Sequence, residues 1–393
     1  MTPPLMATYD RLDVAFTHGS GARLFSEDGR TFLDFAAGVA VNVLGHCHPH
    51  LVDSLHRQAE KLWHCSNLYR IREQERLAER LVDASFADAA FFCNSGAEAI
   101  ECTIKLSRKH QHAIGRPERY RMIVFEGAFH GRTLATLAAG SSAKHRDGFG
   151  PVMDGFDHVP FNDLAAAEAA CGAATAGILV EPIQGEGGIH LAAPEFLRGL
   201  RALADRHGLV LCFDEVQCGF GRTGRLFAHE WADVRPDIMA LAKGLGGGFP
   251  IGACLASGSV AAALTPGSHG STFGGNPLAC AVANGVLDVV HDASFLARVR
   301  SLGALMHQRL ARLPGLYPGV ITDVRGLGLM LGLKCAPANR SVVERLFENG
   351  LLTVPAADNV VRLLPPLTIG VAEIEEAAGM IEQTCAQLAE KAA

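Results

Sequence analysis

Residues 209–217 read LVLCFDEVQ. Every position from Leu209 to Phe213 is apolar, and the run stops abruptly at Asp214. A run this short and this uniformly apolar is the pattern of a strand buried on both faces. An acid at its end would then sit at a strand's carboxyl end, largely shielded from water. The pattern repeats outward from this point. AGILVEP at 176–182, RMIVFEG at 121–127 and AAFFCNSG at 89–96 are also short apolar runs that finish in a polar residue or glycine. Between and beside them, residues 51–63 (LVDSLHRQAEKLW), 97–113 (AEAIECTIKLSRKHQHA) and 193–208 (APEFLRGLRALADRHG) space their apolar residues near the helical period. Strand–helix alternation of this kind predicts an α/β fold with a mostly parallel sheet flanked by helices. In such sheets functional groups collect at the carboxyl ends of the strands.

The flanks differ in texture. ARLFSEDGRTFLDF (22–35) alternates and carries the Asp28–Gly29 hairpin signal. Beyond residue 288, Leu296, Val299, Leu302, Leu305, Met306 and Leu310 mark one face of a long helix. GVITDVRGLGLMLGLK (319–334) then reads as two strands around a turn, and a final helix begins near Val371. We therefore expect an N-terminal segment, 1–50, packed with the small domain; a large domain, 51–287; and a small α+β domain, 288–393. A chain of 393 residues suits one large domain and a smaller one.

Composition narrows the function. A net charge of −6, with no block of like charge, argues against a nucleic-acid binder, which needs a basic stripe. No apolar run approaches the length of a membrane span, and the first residues show no secretion signal. The 11 cysteines form no C-x-x-C pair and read as reduced thiols of a cytoplasmic protein. His46, His48 and His50 in GHCHPH invite a metal reading, but Pro49 interrupts them and no second ligand cluster accompanies them, so no metal is expected.

Four further clusters carry possible chemistry. In DIMALAKGLGGGFPIG (237–252), Lys243 follows an apolar run and precedes glycines. A surface lysine is the plain reading; a nucleophilic amine in a dry pocket is the sharper one. The order of residues is wrong for a P-loop. In CNSGAEA, Asn94 or Ser95 can cap a helix, and Gly96 leaves room for an anion at the helix N-terminus. In FEGAFHGRT, Phe129 can stack on a flat ring and Arg132 can clamp a carboxylate. In HGSTFGGNPLA, Ser271 and Thr272 offer hydroxyls to a phosphate. Each cluster alone has an ordinary structural explanation. Together, a lysine nucleophile, an anion hole, a buried acid and an aromatic face meet the needs of pyridoxal 5'-phosphate.

CNSGAEA, FHGRT, EPIQGEGG, FDEVQCGFGRTG, ALAKGLGGGFPIGA and STFGGNPLA, in this order, resemble the class III pyridoxal-phosphate-dependent aminotransferases. The resemblance covers nearly the whole chain and implies the fold type I architecture of these transferases. It implies that Lys243 bonds to the cofactor and later moves the substrate proton. Asp214 would hold the pyridine nitrogen, Gln217 would approach the ring's phenolic oxygen, and Phe129 would stack on the ring. Gly96 and Ala97 would hold the phosphate. Ser95, Glu215 and Val216 would line the cofactor. Thr272 would reach the phosphate bound by a neighbouring subunit, so the resemblance implies a homodimer with shared sites. Arg132 would take the substrate's distal carboxylate, with Ser271 nearby. Arg362 would take the α-carboxylate of glutamate, with Glu186 neutralising it when the other substrate is bound. GHCHP, LWHCSNLY and HGSTFGGNPLACAVAN fit a branch that moves the terminal amine of an acylated ornithine to 2-oxoglutarate. Succinylornithine, free ornithine and 4-aminobutyrate remain alternative donors. Cys65 and Tyr69 fall near the place the resemblance gives to the substrate tail.

Overall fold

A computed structural model describes residues 4–392. Its centre is a seven-stranded sheet. In spatial order the strands are Ala89–Cys93, Gly252–Ala256, Ile238–Leu241, Val210–Asp214, Thr175–Val180, Arg121–Phe125 and Phe156–Val159. The pleat explains why the Val210–Asp214 run is apolar at every step. Val210 and Cys212 face Ile100 and Ile104 of the helix Gly96–Ala113. Leu211 and Phe213 face Phe196, Leu200 and Leu203 of the helix Pro194–His207. Both faces are covered, so neither parity of the strand is polar.

One strand departs from the parallel expectation. Gly252–Ala256 runs antiparallel to both of its neighbours, pairing Leu241 with Ala253 and Phe92 with Ala253. The remaining pairs in this sheet are parallel.

The N-terminal strands Phe16–Ser20, Arg23–Ser26 and Thr31–Asp34 form an antiparallel meander, with Gly29 at positive φ in the turn as the Asp-Gly signal requires. Their sheet is completed from the far end of the chain. Leu33 pairs in parallel with Leu351. The C-terminal part holds an antiparallel sheet of Ile321–Leu327, Met330–Cys335, Val360–Leu363 and Val354–Ala356. The helices Ala293–Leu310 and Val371–Ala392 pack beside it. Gly303 lets the first of these helices come close, because a Cβ there would lie 2.5 Å from the backbone of Gly328 in the strand turn. Among the described residues, no single helix is long and apolar enough to cross a membrane.

Candidate active site

The parallel pairing of Asp214 with Ala240 puts two strand ends side by side. Asp214 closes one strand; Lys243 lies just past the other. The chain leaves its extended path there, since Lys243 has φ +42°, a left-handed value uncommon for a side-chain-bearing residue. Such a conformation costs about 1–3 kcal/mol and concentrates where function requires it. Lys243 and Asp214 both line a cavity of about 420 Å³. Protein packed around Lys243 pushes its ammonium below the ordinary value, through burial first and the Arg362 charge second, while Glu186, Asp214 and Glu181 pull the other way. The net shift favours a free amine.

Asp214 is 4% exposed. Its Oδ1 accepts from the Val216 N–H at 3.0 Å, and its Oδ2 accepts from His130 Nδ1 at 2.8 Å. A carboxylate can only accept here, so Nδ1 carries the proton. His130 Nε2 is buried without a hydrogen-bond partner. Glu181 also faces the cavity and accepts from the Phe129 N–H at 3.1 Å. Burial and the neighbouring Asp214 charge push its carboxyl well above the usual carboxylate range.

Ser95, Gly96 and Ala97 stand where a long helix begins. Ser95 caps the 18-residue helix Gly96–Ala113 by accepting from the Glu98 N–H at 3.3 Å. Glu98 in turn accepts from the Asn94 N–H at 2.6 Å. Ser95, Gly96 and Ala97 all line the cavity. First-turn N–H groups have no intrahelical carbonyl to bond, and the helix dipole adds to their attraction for an anion. Gly96 is needed for packing too: a Cβ would stand 2.7 Å from Val216. Phe129 and Val216 supply apolar surface to the same cavity. An anion cradle, a buried acid, apolar walls and an unpaired lysine amine match the phosphate, ring nitrogen, ring faces and aldehyde of pyridoxal phosphate.

The two arginines differ in state. Arg362, 1% exposed, forms a two-pronged pair with Glu186 at 2.6 and 3.0 Å and also donates to Gln217 Oε1 at 3.1 Å. Burial alone would raise the Glu186 carboxyl, but the charge and hydrogen bonds of Arg362 hold it below its usual value. Gln217 lines the cavity and links it to this pair. Arg132 is exposed at the cavity's edge, its guanidinium 5.5 Å from the Phe129 ring centre, with no carboxylate partner among the described residues.

Glu186 and Arg362 do not line the cavity and reach it through Gln217; three other expected residues lie elsewhere. Glu215 is turned away from the cavity, and its carboxylate accepts from the Ala228 and His229 N–H groups at 2.6 and 2.8 Å and meets His229 Nδ1 at 2.7 Å. Its acceptor capacity is spent on the Ala228–Trp231 turn, so it shapes the loop rather than touching a ligand there. Ser271 accepts from Asn94 Nδ2 at 3.2 Å and faces a neighbouring cavity with His269 and Asn67. Thr272 is exposed and lines neither cavity. Cys65 and Tyr69 are likewise outside the main cavity of their own chain. His46 and His50 turn to different acids, Asp34 at 2.7 Å and Asp288 at 2.8 Å.

Glu181 and His130 were the unanticipated members. Glu181 carried the same mark as Asp214, an acid directly after a wholly apolar run, and His130 sits inside the FHGRT motif.

Residues 6–385 match the family described as Aminotransferase class-III. The chain belongs to the class-III aminotransferases. It is 58% identical over 386 residues to an acetylornithine aminotransferase of Mesorhizobium japonicum, which covers 98% of this chain and 97% of the relative. An N-acetylornithine aminotransferase of Stenotrophomonas maltophilia superposes with a TM-score of 0.84 at 40% identity, covering 97% of both chains. The ornithine aminotransferase of Toxoplasma gondii superposes with a TM-score of 0.95 at 34% identity, covering 99% of this chain and 94% of the other. The fold is therefore that of these enzymes, and the chain is a pyridoxal-phosphate-dependent aminotransferase.

Proposed function

We propose that this enzyme moves the terminal amino group of N2-acetyl-L-ornithine to 2-oxoglutarate, giving N-acetyl-L-glutamate 5-semialdehyde and L-glutamate, a cytoplasmic step of arginine biosynthesis. The observation that carries this reading is the pairing of Arg362 with Glu186 beside an Arg132 that has no carboxylate partner among the described residues. While that pair is closed, the inner end of the site is electrically neutral. It then suits a donor whose reacting amine has no carboxylate beside it, and the donor's distant carboxylate goes to Arg132. 2-Oxoglutarate brings a carboxylate next to the reacting carbon, and Arg362 can receive it only if Glu186 swings away. A buried guanidinium left unpaired would be costly, so the switchable acid solves the problem of two unlike substrates in one site. The 58% identity to a relative named for acetylornithine supports the acylated donor over free ornithine.

Bound pyridoxal phosphate supplies an aldehyde to accept the amine and a ring that withdraws electrons from the reacting carbon. Asp214, braced by His130 and the Val216 N–H, would hold a positive charge at the ring nitrogen. Gly96 and Ala97 would hold the phosphate through their N–H groups, and Gln217, which lines the same cavity, would approach the phenolic oxygen. Lys243 Nζ, whose proton burial loosens, would take the proton from the substrate carbon and return it. The purified enzyme should be yellow. Its visible band should bleach fastest with N-acetylornithine, compared with succinylornithine, ornithine and 4-aminobutyrate, and return with 2-oxoglutarate. A faster response to another donor would move the enzyme to a sister activity.

We also infer a homodimer with shared sites. The site as built from one chain leaves Thr272 unused. Trp63, Leu68, Tyr69 and Phe273 are exposed, and the two segments they occupy touch: His64 packs on the Phe273 ring and Asn67 Nδ2 donates to the Ser271 carbonyl at 3.1 Å. This apolar area suits a second copy. We read the chain as 51–287 and 288–393 around that arrangement, with 1–50 joined to the smaller part. Light scattering should report twice the chain mass; a monomer that keeps full activity would overturn the shared site.

A further inference from the structure

Arg132 does not hang free at the cavity mouth. Its Nη2 lies 3.1 Å from Nε2 of His145, which comes from the short helix Ala143–Arg146. An arginine can only donate, so Nε2 accepts and the imidazole proton is on Nδ1. The same imidazole meets the Phe129 ring edge-on, with centres 5.8 Å apart and planes at 85°. Phe129, Arg132 and His145 thus hold one another in a triangle. The segment bearing His145 is itself fastened to the loop bearing Phe129. Ser141 Oγ accepts from the Gly127 N–H at 2.7 Å, and Arg146 Nη2 donates to the Ser141 carbonyl at 3.2 Å.

We propose that His145 is a positioning residue for substrate binding, which aims the Arg132 guanidinium across the cavity mouth so that its remaining N–H groups face the incoming carboxylate. The inference rests on the reading of Arg132 as the carboxylate receptor. A guanidinium carries five N–H donors in a fixed plane. One bond from Nη2 to a ring anchored on Phe129 fixes that plane and spares the substrate the cost of ordering a long, exposed side chain. Burial, and after it the Arg132 charge, push the His145 imidazolium below its ordinary value, with Lys144 acting in the same sense and Glu186 opposing. Nε2 is therefore a bare acceptor at neutral pH. No aspartate or glutamate could take this place without neutralising the guanidinium; a neutral acceptor orients the charge and leaves it available.

The test compares His145→Ala, His145→Gln and Arg132→Ala in the holoenzyme, with kcat/KM measured for N-acetylornithine and for 2-oxoglutarate. His145→Ala should lower both by about tenfold, the effect expected of one hydrogen bond to a charged group, with cofactor affinity and thermal midpoint unchanged. Gln places an acceptor oxygen near the position of Nε2, so His145→Gln should recover most of the loss. If Arg132→Ala is impaired while His145→Ala is not, the positioning role is wrong. Equal losses in His145→Ala and His145→Gln with a lowered midpoint would show packing alone and also overturn it. An Arg132→Ala enzyme with unchanged kcat/KM would instead remove Arg132 from the substrate site.

Discussion

Lys243→Ala should abolish turnover, by at least about four orders of magnitude, because the amine we propose anchors the cofactor and carries the substrate proton is lost at once. The fold should survive. Lys243 Nζ makes no hydrogen bond among the described residues, and its side chain sits in surroundings that disfavour its charge. Removing it takes away a poorly solvated group rather than a contact. What alanine does not remove is the backbone cost, since φ stays near +42°. Lys243→Gly should therefore be as inactive as Lys243→Ala and more stable than it by about 1 kcal/mol, because relief of left-handed strain of about 1–3 kcal/mol exceeds the about 0.4–1 kcal/mol of glycine's greater freedom when unfolded. Circular dichroism and thermal unfolding check the fold; the donor-to-2-oxoglutarate assay checks turnover. Full activity in either variant would end the assignment of Lys243.

How much of this site could be read from the chain depends on distance along it. Asp214 was legible because an acid after five apolar residues has few places to be except a buried strand end. Lys243 was legible for the same reason, and its neighbouring glycines marked the turn. Glu181 bore that mark equally, but nothing local distinguishes a buried acid that touches a ligand from one that lines its pocket. Glu215 shows the converse. It stands beside Asp214 in sequence, yet alternation turns it to the other side, where His229 and two N–H groups hold it. His145 left no trace at all. It lies thirteen residues beyond Arg132 in a polar stretch without periodicity, and bonds from Ser141 to Gly127 and Ala128 fold it back. Strand direction was hidden for a different reason. Gly252–Ala256 is buried at every position, and an apolar run reads alike whether its neighbours run with it or against it. The parallel pairing of Leu33 with Leu351 joins residues so far apart that no local pattern could announce it.

Asp214→Asn tests the second anchor, and it separates charge from shape. The amide is nearly isosteric. Its oxygen can accept from the Val216 N–H, and its NH2 can donate to His130 Nδ1 once that imidazole carries its proton on the partnerless Nε2, so the site should keep its shape while losing the carboxylate charge proposed to hold a proton on the cofactor's ring nitrogen. Turnover should fall by about a thousandfold, within the range observed when one preorganised electrostatic contact is removed, with the enzyme still folded and still able to bind cofactor. A second consequence concerns Glu181, whose carboxyl is raised by burial and by the Asp214 charge. A carboxyl whose folded value lies above its unfolded value binds more protons when folded. Its stabilising contribution is complete below the unfolded value of about 4.3 and is lost as pH rises through the folded value, at up to about 1.4 kcal/mol per pH unit. With Asp214 neutral, burial alone still raises Glu181, but by less, so this loss should end at a lower pH. Denaturant unfolding of cofactor-free parent and Asp214→Asn from pH 5 upward should therefore show the variant gaining on the parent as pH increases. A constant difference across that range would mean the two carboxyls do not sense each other, and near-parental turnover would mean the charge at Asp214 is not what the reaction uses.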